Sequence, residues 1–447
     1  MLKLLDKIFP RTSFARNVFT LMTGMALSQV IGLLAIPIIS RLFTPVDYGI
    51  FNIFLGIVTI AGVLVTFKYE QILVLPKRKK DAINIVVLAF MITFIISALS
   101  LIIVLIAPKT LGKIINTEGF SQWLIYIPIS IFLVGIFQIL EKYSLRRKDY
   151  KKLRTGHISQ SLTRASINIG LGFYQKIMGG LIWGYIAGQV IAVLFLSRGR
   201  LKSLFFNIRK HFDWQHCKAM ARKYRKTTFA LIPSSITGSL TTYVPIFVLG
   251  FIYDDFVVGI YSMGFNVVNL PILILGKALY DVSYKHSIDI INSNNSLSEF
   301  VERIVARLSI IGIAPVVFLG LFAKPFFNFL LGEEWQLMAL YIQILLPYFF
   351  FKFVCIPVMI LIQTGKAHIY LYWQILYLIL TCIALLTGKF LLLSHELTIL
   401  LLSISNTLCY ILLLYLNFKV SGAKLKNVFR EIKGLFTNSV KLIVNSK

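Results

Sequence analysis

The 447-residue chain is poor in charge: 14% of its residues are charged, where a soluble globular chain carries about 25%. Acidic residues are the scarcest, 18 against 46 Lys and Arg, while 57% of the chain is hydrophobic. That balance excludes water as the main solvent. Cysteine is sparse too. Cys217, Cys355, Cys382 and Cys409 show no C-x-x-C spacing and three of them lie in apolar runs, so neither a zinc site nor a disulfide framework is expected. Enzyme signatures are missing as well: there is no G-x-x-x-x-G-K-[ST] loop, no G-x-S-x-G and no H-E-x-x-H. The chain is therefore not read as an enzyme, and it calls for no cofactor.

What the chain does have is long uncharged runs. Twelve reach spanning length, near 18–40, 48–67, 82–107, 123–140, 156–175, 178–197, 227–251, 256–280, 304–323, 338–361, 369–387 and 397–417. The first is too long for a signal-peptide apolar region and is expected to stay as a span. The reading is an all-α polytopic membrane protein with twelve transmembrane helices in two six-helix bundles. The bundles are expected at 1–197 and 227–417, joined by a basic cytoplasmic linker at 198–226 and followed by a basic cytoplasmic tail at 418–447. The weakest span is 156–175, but without it the basic loops on either side would face opposite compartments.

Basic residues test that topology. With the N-terminus inside, 36 Lys and Arg fall in inner segments and six in outer loops: Arg41, Lys109, Lys113, Lys176, Lys324 and Lys389. This is the asymmetry of the positive-inside rule. It places both termini in the cytoplasm and accounts for most of the +28 charge without nucleic acid. Trp123, Trp183 and Trp335 fall near outer span ends, as an aromatic belt would.

A shift of 210 residues pairs Asn17 with Thr227, Gly24 with Ser234, Ser28 with Gly238, and Gly49-Ile50-Phe51 with Gly259-Ile260-Tyr261. Half-chain repeats of this kind are typical of secondary transporters. Ser296 and Glu299 have capping-box spacing before the ninth span. The tail alternates basic and apolar residues (Lys424, Lys426, Val428, Phe429, Lys433, Leu435, Phe436), which fits either a surface helix attracted to anionic membrane lipids or an unstructured basic tail.

The fifth span carries a polar stripe at helical spacing: His157, Gln160, Ser161, Arg164, Asn168 and Gln175. It reads either as the lining of a wet cavity or as an interhelical hydrogen-bond seam. Arg164 favours the cavity, having no candidate carboxylate at its depth. The eighth span has a matching stripe, Ser262, Asn266, Asn269, Lys277 and Asp281. Lys277 and Arg307 lie where they can snorkel to the interface. Lys352 sits near mid-span between Phe351 and Phe353 and is a better cavity candidate. Neutral stripes line other spans (Asn17, Thr20, Gly24, Ser28; Asn52, Thr59, Thr66; Ser234, Gly238, Thr241) and suit close packing first, sugar recognition second. No acidic residue occupies the middle third of a span; Glu70, Glu141 and Asp281 come nearest, at inner ends. Buried cations without buried carboxylates favour an anionic cargo over a cation.

The run Pro37-Ile-Ile-Ser40-Arg41-Leu42-Phe43-Thr44-Pro45-Val-Asp47-Tyr48-Gly49, with Lys68-Tyr69-Glu70 and Leu75-Pro76, resembles the opening of Wzx-type polysaccharide flippases of the multidrug/oligosaccharidyl-lipid/polysaccharide exporter superfamily. Gly180-Leu-Ile-Trp-Gly184, Gly188-Gln189, Gly259-Ile-Tyr261 and Gly332-Glu-Glu-Trp335 agree, so the resemblance covers essentially the whole chain. Read physically, Pro45 and Gly49 suit a tight outer turn, with Asp47 placed to cap the second span.

The resemblance implies a MATE-like transporter of the bacterial cytoplasmic membrane. Its implied cargo is an undecaprenyl-diphosphate-linked oligosaccharide, moved by alternating access for O-antigen, lipopolysaccharide or other surface glycan assembly, beside a polysaccharide polymerase complex or alone. On this reading the cargo enters a cytoplasm-facing cavity between the bundles, where Arg164 and Lys352 offset the diphosphate, Lys277 and Arg307 form an inner rim, and Gln160, Asn168 and Asn266 line the path. Family members are thought to couple to an ion gradient, for which Glu70, Asp281 and His157 are the candidates. The alternatives are a cation-coupled multidrug antiporter, which would carry a membrane carboxylate, and a lipid II flippase, which usually has two further spans.

Overall fold

A computed structural model describes residues 13–115, 120–175, 179–199, 201–293 and 295–444. The side chains of Asn17, Thr20, Lys113, Gln175 and Phe436, and the whole of Lys176, lie outside the described residues. All regular structure that is described is helical. The principal helices are α1 (Ser13–Leu42), α2 (Pro45–Leu64), α3 (Lys79–Ile106), α4 (Tyr126–Arg146), α5 (Tyr150–Gln175), α6 (Gly180–Ser197), α7 (Leu201–His211), α8 (Trp214–Ile252), α9 (Asp255–Asn292), α10 (Ser298–Leu331), α11 (Gln336–Cys355), α12 (Ala367–Phe390), α13 (His395–Ser421) and α14 (Leu425–Val444).

Eleven described stretches are long and apolar enough to cross a membrane. The amphipathic α7 and α14 are not among them, and neither is α5. At 26 residues α5 has the length, but its polar stripe lowers the hydropathy. Its neighbours cover part of that stripe: Ser161 Oγ donates to the Ser28 carbonyl of α1 at 2.6 Å, and Gly184 and Gly188 of α6 lie against Asn168 and Gln160. Counted with the eleven, α5 completes a twelve-helix architecture.

The chain divides into two compact units, Met1–Gly259 and Ile260–Lys447. The core of the first includes Ile72, Leu73, Ile83, Val86, Ile139, Leu153 and Leu196. In the second, Val301, Val305, Leu308, Val354 and Ile360 cluster with Val428 of α14.

The second span is capped at its expected start, but with Thr44 as the cap and Asp47 as its partner three residues on, and a second expected cap is absent. Thr44 caps α2, its hydroxyl accepting from Asp47 N–H (3.3 Å) while Asp47 Oδ2 accepts from Thr44 N–H (2.9 Å), with Pro45 at the first helical position. Gly49 is not in the turn. It lies inside α2, where an added Cβ would land on the Asp255 carbonyl, just as one on Gly259 would land on the Pro45 carbonyl. The expected capping box at Ser296 does not form. Ser296 Oγ bonds Ser298 Oγ (2.8 Å) and Ser298 N–H (3.2 Å), and Glu299 pairs instead with Arg303 one turn on. An i,i+4 ion pair competes for the carboxylate the box would need.

The tail forms a helix, the ordered alternative. Glu302 accepts from Lys424 N–H (2.7 Å) and Asn427 Nδ2 (3.0 Å), and Val428 is buried. A carboxylate at the first turn stabilises a helix by meeting its free N–H groups. The basic segment 198–226 is likewise helical, as α7 and the first turns of the 39-residue α8. Of the three tryptophans expected in an aromatic belt, Trp183 is exposed, while Trp123 and Trp335 are buried and cannot face headgroups. Trp123 packs on Gly179 and Tyr126.

Candidate functional site

Gly180, Gly184 and Gly188 repeat every fourth residue along α6, giving one face without side chains. Helix α5 lies in that groove. A Cβ on Gly184 would meet the Asn168 side chain, and one on Gly188 would lie 2.9 Å from the Gln160 carbonyl. Oriented to satisfy its bonding, the Asn168 amide donates to the backbone oxygens of Arg164 and Gly180, both at 3.2 Å. Asn168 is buried. Its place is therefore the seam between helices, the second of the two readings of the polar stripe.

Arg164 stands one turn away and its side chain leaves the seam. Its guanidinium lies over the Phe51 ring of α2 (5.2 Å to the centroid) and the Tyr185 ring of α6 (5.6 Å). No carboxylate pairs with it among the described residues. Tyr185 OH in turn accepts from Gln189 Nε2 at 3.4 Å, and Gln189 Oε1 is buried with no hydrogen-bond partner. Further along α2, Thr59 Oγ1 donates to Tyr243 OH at 3.3 Å. The first unit thus presents a cation on two π-faces beside an amide oxygen with unused bonding capacity.

The second unit holds a comparable arrangement. Lys352 Nζ lies over Phe265 (5.0 Å) and Tyr348 (5.2 Å) and donates to Tyr348 OH at 2.9 Å. Behind it runs a column of packed rings, Tyr348 to Tyr410 (5.6 Å), Tyr410 to Tyr377 (5.7 Å), Tyr377 to Trp373 (5.4 Å) and Trp373 to Tyr370 (5.5 Å). Trp373 Nε1 donates to the Cys409 carbonyl at 2.7 Å, which fixes the indole. Lys352 also has no carboxylate partner among the described residues.

The other expected residues are dispersed. Lys277, Asp281 and Arg307 are exposed, Gln160 and Asn266 half-buried. His157 Nε2 lies 3.2 Å from Glu141 Oε1, with Lys142 Nζ 3.9 Å from the same carboxylate. Glu70 is buried and takes the Thr66 hydroxyl. Sequence reasoning missed Phe51, Tyr185, Gln189, Phe265 and Tyr348. Aromatics in apolar runs read as core, and the local signals are two pairs at four-residue spacing, Tyr185 with Gln189 beside the glycines of α6 and Tyr348 with Lys352 on α11.

In overall fold the chain is similar to the lipid II flippase MurJ in an inward closed conformation (TM-score 0.70, 13% identity, covering 96% of this chain and 93% of that one). It is also similar to an inward-facing multidrug resistance MATE family transporter of the MOP superfamily (0.59, 15%, 90% and 94%). A third likeness is to an MOP superfamily transporter from Pyrococcus furiosus (0.55, 14%, 91% and 95%). At these identities the likeness establishes the fold, that of a twelve-helix MATE-like transporter. No curated protein matches the chain by sequence. The profile described as Polysaccharide biosynthesis protein matches residues 38–340, a stretch that holds the capped start of α2, the glycine groove of α6 and Arg164, and on that match the chain belongs to this family of polysaccharide biosynthesis proteins.

Proposed function

We propose that the protein is a flippase that carries undecaprenyl-diphosphate-linked oligosaccharides across the bacterial cytoplasmic membrane by alternating access, for O-antigen or other surface glycan assembly. The observation that carries this reading is that Arg164 and Lys352 each rest on two aromatic rings with no carboxylate partner among the described residues. A cation within a membrane is costly and is retained where it meets a counter-charge during function. Stacking a guanidinium on π-faces leaves its in-plane N–H donors free for phosphate oxygens. The open Gln189 oxygen suits a sugar hydroxyl. Cation-coupled drug antiport fits less well, because the buried Glu70 is bonded to Thr66 and His157 is engaged by Glu141.

The test is replacement of charge. Arg164→Ala and Lys352→Ala chains are expected to insert normally, with Arg164 and Lys352 contributing to cargo handling and each loss reducing surface-glycan assembly at least tenfold, about 1.4 kcal/mol of lost cargo stabilisation. If both variants insert and support full assembly, the assignment is wrong.

A further inference from the structure

Helix α7 and the elbow after it are held at both ends. At the start, Lys152 Nζ donates to the Arg198 carbonyl. At the elbow, Asn84 of α3 bridges two backbone groups, its Nδ2 donating to the His211 carbonyl (3.0 Å) and its Oδ1 accepting from Asp213 N–H (3.1 Å). Lys80 pairs with Asp213 at 3.4 Å and His216 Nε2 lies 2.9 Å from Asp81. All three α3 residues lie in the first turns of a span, where the charged run Lys79-Lys80-Asp81 gives way to apolar sequence. The clasp therefore sets α7 at the level where a membrane passes from headgroups to acyl chains.

Leu204 and Asn207 of α7 are buried. The opposite face is not: Phe205 is 68% and Phe206 66% exposed, and helical spacing puts Lys202 and Arg209 on the arc between them, with Lys210 beside it. At the elbow, exposed Trp214 carries Lys218 Nζ 5.1 Å from its ring centroid. Exposed aromatic rings interleaved with basic side chains, fixed at interfacial height, match a surface of acyl chains beneath anionic headgroups.

We infer that the outward face of α7 is a binding surface for anionic membrane lipid, Phe205 and Phe206 entering the acyl boundary while Lys202, Arg209 and Lys210 meet headgroup phosphates. This is independent of the cargo reading above. The experiment compares full-length protein in nanodiscs of phosphatidylcholine alone and of phosphatidylcholine with phosphatidylglycerol in equal parts, reading amide hydrogen exchange over residues 201–211. Exchange is expected to be slower in the anionic discs. The Lys202→Gln/Arg209→Gln/Lys210→Gln variant loses that protection by about fivefold for each charge removed, and Phe205→Ser/Phe206→Ser loses it in part. Exchange over 79–84 stays constant, which certifies the clasp; if the triple variant fails to insert, Arg209→Gln alone is read. Equal exchange in the two lipids would leave the face to a protein partner and overturn the inference. Equal protection by inorganic phosphate in phosphatidylcholine discs would overturn it too, by marking a soluble-anion site.

Discussion

Arg164 and Asn168 are one turn apart on α5 and meet different surroundings. The amide ties two helices, whereas the guanidinium stacks on rings and keeps its edge open. Removing each therefore has a different consequence. Asn168→Leu leaves the Gly180 carbonyl without its interhelical donor and forces a branched chain against Gly184. A loss of about 1–3 kcal/mol is expected, read as a lower thermal midpoint in detergent, with transport falling only as folded protein is lost. Arg164→Lys keeps the charge but not the planar face. It is expected to leave the thermal midpoint unchanged and to lower glycan export in a complemented deletion strain, because an ammonium offers no bidentate edge to a phosphate. The sequence marked Arg164 and Lys352 through the cost of charge in an apolar run. It did not show the rings that come from other helices: Phe51 and Tyr185 around Arg164, and Phe265 over Lys352, are far off in sequence, and only packing brings them together.

Among the elements, the crossing of α2 with the first turn of α9 depends on two glycines. A side chain at Gly49 meets the Asp255 carbonyl, and one at Gly259 meets the Pro45 carbonyl. A shift of 210 residues exchanges the two contacts, which gives the internal repeat a physical content that matching letters alone lacked. Gly49→Val and Gly259→Val should each cost about 1–3 kcal/mol by forcing the helices apart. Once they are apart the second substitution meets less resistance, so the double variant is expected to fall well short of the sum in a thermal-unfolding cycle. The elbow before α8 has its own test. Backbone N–H donation from His216, then the Lys80 ammonium and the Gln215 N–H, holds the Asp213 carboxyl below the ordinary aspartate range. A carboxyl depressed on folding stabilises above its unfolded pKa, about 3.9, and that contribution disappears as pH falls through the lower folded value. Asp213→Asn, which preserves the cap but not the charge, should lower stability at neutral pH, change it little in acid, and so flatten the acid limb of the profile measured by thermal unfolding.

For the whole molecule, the positions and number of apolar runs were legible because spanning length is a strong constraint on composition. The ends of the helices were not. Helix α8 begins at Trp214, well before the apolar run at 227, because Asp213 caps it and α3 holds it. Polar clasps between distant segments leave no periodic trace. The same limit hid the burial of Trp123 and Trp335, which sequence position alone assigns to an interface. The column from Tyr370 through Trp373, Tyr377 and Tyr410 to Tyr348 ends at Lys352, and this gives the second unit an optical handle. Fixed, asymmetrically packed rings are the source of near-ultraviolet circular dichroism, so the band from this column should report on what happens at the ammonium beside it. A ligand that draws Lys352 off Tyr348 OH would register as a change in that spectrum, without any label attached to the protein.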